Sequence, residues 1–211
     1  MERRTFLARR VSGFSIESNM QVDFAVELGR EDETLELPWS SEDGRLRYHD
    51  LKREPAAITH VDEAQQSHEL REFLLAVNAS VSVLETAKCD VWSTTEINPD
   101  EEIFNASAKF GSYIDLFFSD DATRMSFDQH ESFLRNLTRL LQRVPEIPAS
   151  AEFLLRRCFY KREASVQEGF YVTFYLFGYG PDDAKARAQW AIALQLVAAA
   201  ITQLSGRNSS L

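Results

Sequence analysis

Residues 170–179 read FYVTFYLFGY. Side chains alternate along an extended chain. Phe170, Val172, Phe174 and Leu176 therefore share one face, and Tyr171, Thr173, Tyr175, Phe177 and Tyr179 share the other. Aromatic and β-branched residues favour strands. Both faces are apolar, so the stretch predicts a strand covered on both sides. Gly178, Gly180 and Pro181 end it. Asp182 then stands where a helix N-cap is needed. Trp190, Leu194, Val197, Ile201 and Leu204 recur at helical spacing and predict a last helix to about Leu204. Alanines 184, 186, 188, 191, 193 and 198–200 surround that seam and permit close approach to a sheet or a second helix.

Working outward, Glu152–Arg162 predicts the partner strand, joined to the first around Ala164–Glu168. Ser126 and Gln129 have capping-box spacing, and Phe127, Leu134, Leu137, Leu141 and Val144 form a helical stripe that Pro145 and Pro148 stop. Phe110–Phe118 alternates as a strand, and Val81–Thr95 is rich in Val and Thr, with a turn at Asn98-Pro99-Asp100 between them. A helix is expected from Asp62, with Gln65 three residues on, to about Asn78, burying Leu70, Phe73, Leu74 and Val77. Met20–Leu28 alternates strictly and predicts a half-buried strand.

These elements predict one α+β domain over 1–211. Its core is a mostly antiparallel sheet of about five strands with three helices. The chain order is a ferredoxin-like βαββαβ run with an extra strand and a C-terminal helix. The same order also reads as two helix–strand–strand units and a closing helix. Gly29–Pro55 is the least regular stretch, expected to wrap the surface with Trp39, Leu46 and Tyr48 as anchors, and residues 206–211 are expected to fray. One sheet face lacks helices, so it must be solvated, covered by that long connection, or used for association.

The chain has 211 residues, 23 Lys+Arg against 33 Asp+Glu, a formal charge of −10 and 15 Phe. It is too apolar and aromatic to be disordered. Acidic balance argues against a nucleic-acid surface, and no apolar run reaches the ~20 residues of a membrane span. The start, with Arg3, Arg4, Arg9 and Arg10, lacks the apolar stretch of a secretory signal, so a cytoplasmic setting with reduced thiols is expected. Four N-x-S/T tripeptides, at Asn78, Asn105, Asn136 and Asn208, are then not glycosylation sites.

Candidate chemistry is sparse. The histidines are His49, His60, His68 and His130; His60 and His68 are eight residues apart, ~12 Å along a helix, too far to share one metal, and His130 sits in an apolar stripe. No metal site, cofactor or catalytic set is expected. Cys89 alternates with core residues; Cys158, between Arg157 and Phe159, is the better nucleophile candidate because positive neighbours lower a thiol pKa. Gly178-Tyr179-Gly180 meets a helix start already occupied by Asp182 and Asp183, which disfavours phosphate.

The sequence therefore points to a non-enzymatic interaction module that self-associates as a homodimer through the open sheet face or the last helix. Tyr171, Tyr175, Tyr179, Tyr160 and Arg157 are the expected contact residues, and Arg156, Lys161 and Arg162 add positive charge that suits an acidic ligand or partner. Acidic α+β chaperones of secreted effectors are similar in charge and element order, an analogy of shape. The alternative is a small-molecule binder or minor hydrolase with its site between the sheet and the 29–55 connection, using Tyr175, Arg157 and Cys158.

Overall fold

The computed structural model describes residues 20–98, 101, 104–144, 147–162 and 165–208. The basic start and the last three residues, together with part of the Asn98–Asp100 turn, lie outside them. Six strands form one mixed sheet: β1 (Gln21–Glu27), β2 (Thr34–Leu37), β3 (Leu84–Thr94), β4 (Ala108–Phe118), β5 (Ala149–Arg162) and β6 (Ser165–Gly180). The helices are α1 (Asp62–Gln66), α2 (His68–Val77), α3 (Asp121–Arg124), α4 (Phe127–Leu141) and α5 (Asp183–Asn208), with a 3-10 turn over Pro55–His60. The α+β class is as expected; the counts of strands and helices are higher.

The spatial order is β1-β5-β6-β4-β3. The 170–179 stretch therefore lies in the middle of the sheet, which is why both of its faces are apolar. The pairs β3–β4, β4–β6 and β6–β5 are antiparallel, whereas β1 runs parallel to β5 at the edge. β2 also pairs parallel with β5, at Arg157–Tyr160, beyond the part held by β1. The connection after β1 thus contributes a short strand of its own. The β5–β6 hairpin is tighter than the sequence suggested, with pairing continuing to Arg162 and Ser165.

Helix boundaries follow the caps. The helix expected from Asp62 to Asn78 is two helices. Ser67 is extended, its Oγ accepts from Leu70 N–H at 3.3 Å, and it starts α2 afresh. Asp62 is not the cap; Val61 precedes the helix without a side-chain bond. Ser126 caps α4 as expected, accepting from Gln129 N–H at 3.3 Å. Asp182 accepts from Lys185 N–H at 2.8 Å at the start of α5.

Helices α2, α4 and α5 pack on one face of the sheet, with α5 between the other two. Its seam, Trp190, Leu194, Val197 and Ile201, is buried against β6 and β4. Asp183–Gly206 is long and apolar enough to cross a membrane, yet here it is the core helix of the sheet. Phe153 and Phe174 stack at 4.8 Å, and Trp190 Nε1–H donates to Ser112 Oγ at 2.9 Å. Glycine at 178 sets how closely α5 lies: a Cβ there would meet Trp190 N at 2.2 Å and Ala186 O at 2.4 Å.

Candidate small-molecule site at the edge of β3

The second sheet face is covered at both ends. At one end Leu35, Leu37, Phe117, Cys158, Tyr160 and Tyr171 form a small core, closed by Trp39, Tyr48 and Met125. At the other end Phe104 stacks on Tyr179 at 4.2 Å, and Tyr179 Oη–H donates to Glu101 Oε1 at 2.7 Å. Between these covers Tyr113 and Tyr175 remain half-buried, their rings 6.2 Å apart.

The five residues expected to make contacts are therefore dispersed. Tyr171 and Tyr179 are 1% exposed and Tyr160 is 3% exposed. Tyr160 donates to Phe170 O at 2.6 Å. Tyr175 is half-buried on this face. Arg157 pairs across the hairpin with Phe170, so it points to the helix side, where it meets Glu168 at 3.7 Å. Two further cations of β5 are paired within the chain: Arg156 holds Glu27 and Glu33, each at 2.8 Å, and Lys161 holds Glu36 at the surface, while the Arg162 side chain lies outside the described part.

Cys158 does not gain from its basic neighbour. It is fully buried on the face opposite Arg157, and burial pushes its thiol up to about 12. His130 is buried as expected, its Nδ1 2.8 Å from Ser126 O and its ring edge-on to Phe118. Among the described residues no group of three or more His, Cys, Asp or Glu is placed to hold a metal ion.

The feature that converges is a cavity of about 420 Å³ along the outer edge of β3. Consecutive residues Thr86–Asp90 all line it, which only the free edge of a strand permits. The pairing of β3 with β4 shifts register between Thr86 and Cys89, so this segment bulges there. The irregular connection supplies the opposite wall. Trp39 is fixed by its Nε1–H donating to Ala87 O at 3.2 Å, with the Lys88 ammonium 5.2 Å from its ring centre. A bridge between Ser40 and Arg47 closes the connection on itself. His49 and His60 stack at 5.6 Å, one from each end of the 49–60 segment.

The remaining wall comes from Val61, Asp62 and Glu63 at the start of α1, with Leu51, Leu74 and Tyr113. Burial, with the Arg47 guanidinium and His60 nearby, holds the His49 imidazole below its usual pKa and so favours the neutral ring. Burial, then the charges of Asp90 and Asp62, raises Glu63. The Cys89 thiol is raised by burial and by the Glu63, Asp90 and Asp115 carboxylates, so it is a poor nucleophile.

No family model, curated protein or solved structure matches this chain.

The alternative expectation was a site between the sheet and the 29–55 connection, and the cavity has walls from both. Its candidates lay on β5 and β6, while the cavity lies on β3. Trp39, expected as an anchor, and His49, to which no role was assigned, both line the cavity. The one available signal was the concentration of aromatic and imidazole groups in a connection otherwise made of charge and turn residues.

Proposed function

We propose that this protein binds a small molecule in the cavity between β3 and the 39–63 segment. The observation that carries this reading is the cavity itself. Its volume of about 420 Å³ falls within the span typical of ligand sites. An indole, two imidazoles and a phenol line it, together with a few charged groups. Such a mixture supplies rigid apolar area and a small number of orienting polar contacts. Burial holds the wall cysteine as the neutral thiol, which disfavours it as a nucleophile. Both cysteines are unpaired, and the register puts Cys89 and Cys158 on opposite faces of the sheet, which suits the reduced, cytoplasmic setting read from the sequence.

A thermal-shift panel of metabolites tests the proposal. A true ligand at one hundred times its Kd stabilises by about 2.7 kcal/mol. That shift is expected to vanish in Trp39→Ala, whose own fold is checked by circular dichroism. Absence of any ligand-dependent shift, or a shift that Trp39→Ala leaves intact, contradicts it.

Self-association is a second reading, favoured by one observation. From Ala188 to Gly206, α5 carries no ionisable side chain, and Ile192 stands 46% exposed on its outer side. In a chain of charge −10, two copies meet with least repulsion across an uncharged surface. The occupant of that face would be a second copy, a C2 pairing of α5 with itself. Light scattering after size exclusion should give a dimer that Ile192→Glu converts to monomer. A monomer at high concentration removes this reading and leaves the cavity untouched.

A further inference from the structure

The charges of the cavity wall are unevenly answered. Glu27, Glu69, Glu85 and Glu101 are partly buried elsewhere, and each meets an arginine or lysine within 3.4 Å. Glu63 is half-buried too, yet among the described residues it enters no ion pair. Asp90 is exposed, and among the described residues its carboxylate accepts from the neighbouring Val91 N–H alone, at 2.7 Å. Both lie on the α1 and β3 side of the cavity and line it together with the Tyr113 ring. The cations lie on the other side or are occupied. Arg45 is held by Asp43 at 3.5 Å, Arg47 is at the exposed rim, and the Lys88 ammonium lies over Trp39.

We propose that the cavity takes a small organic cation, a primary amine whose ammonium group lies between Glu63 and Asp90 and whose apolar body lies against Trp39 and the stacked His49 and His60. This assignment rests on the reading of the cavity as a ligand site. The physical reasons are two. An ammonium group donates three hydrogen bonds and can meet the half-buried Glu63 and the exposed Asp90 together. Repulsion from Arg47 and Lys88 turns the charged end away from the connection, so the amine enters in one orientation. A metal ion is less suited, because among the described residues no third ligand converges.

The test uses three molecules of similar shape and different charge: phenethylamine, 2-phenylethanol and 3-phenylpropionate. Binding is read from the Trp39 indole N–H signal in a nitrogen-correlated NMR spectrum, assigned with Trp39→Phe. Phenethylamine is expected to move that signal at concentrations at least ten times lower than the alcohol or the acid. Glu63→Gln and Asp90→Asn are each expected to weaken the amine tenfold or more while leaving the alcohol unchanged. Equal affinity for the three, or preference for the acid, overturns the amine assignment and keeps the cavity as a site. No movement of the indole signal with any of them overturns the amine assignment, and metabolite shifts that spare Trp39 overturn the cavity reading as well.

Discussion

Asp115 is a carboxylate placed where the sheet offers little water. It is 4% exposed, and its Oδ1 accepts from Thr173 Oγ1–H at 2.8 Å. Arg156 reaches the same hydroxyl at 3.2 Å but spends its charge on Glu27 and Glu33. Burial therefore dominates and pushes the Asp115 carboxyl up to about 7. The direction of the pH effect follows from this. The unfolded carboxyl loses its proton near pH 4, and the folded one only near 7. Stability from this group is fully present below the lower value, falls across the interval, and is level above it. Asp115→Asn keeps an acceptor for Thr173 and removes the titration. Urea midpoints at pH 4.5 and 7.5 should show the variant gaining on the parent by roughly 2–4 kcal/mol at the higher pH, by linkage. An equal gain at both pH values would show that Asp115 is ionised throughout.

The same scale shows how far single residues can be read in advance. Ser126 announced its role, because a cap acts on its own helix within three residues. The tyrosines of 170–179 announced their face but not their cover. Tyr171 belongs to the small core that Leu35 and Leu37 of β2 join, and Tyr179 is stacked on by Phe104. Those partners are remote in sequence and carry no periodicity that links them to β6.

At the scale of elements, β6 and α5 carry the architecture, and both were legible because each has a long, regular pattern. β2 was not: four residues, Thr34–Leu37, are too short for alternation to stand out from the charged stretch around them. The parallel pairing of β1 and β2 with β5 was likewise invisible, since pattern fixes the face of a strand and not its neighbour. Two substitutions test these elements. Gly178→Ala drives a methyl group into the α5 backbone and should cost about 2–3 kcal/mol in urea unfolding. Leu35→Ala should cost about 2–5 kcal/mol if β2 docks as described, because Leu35 is 2% exposed. A loss under ~0.5 kcal/mol in either variant would mean the packing is looser there.

For the whole molecule, the net charge of −10 says less about function than its local distribution. On the basic strand, Arg156, Arg157 and Lys161 each meet carboxylates of this same chain. Two carboxylates, the half-buried Glu63 and the exposed Asp90, line the cavity at the β3 edge, beside the aromatic groups of the 39–63 segment. That segment is both the least regular part of the sequence and the wall of the cavity, as expected where long connections carry function. The most direct measurement is therefore a map of amide and indole NMR shifts across the whole chain, recorded with the metabolite that gives the largest thermal shift. The account predicts changes centred on Trp39, His49, His60, Glu63 and Cys89–Asp90. Changes confined to α5 or to the β5–β6 hairpin, with those residues still, would contradict it.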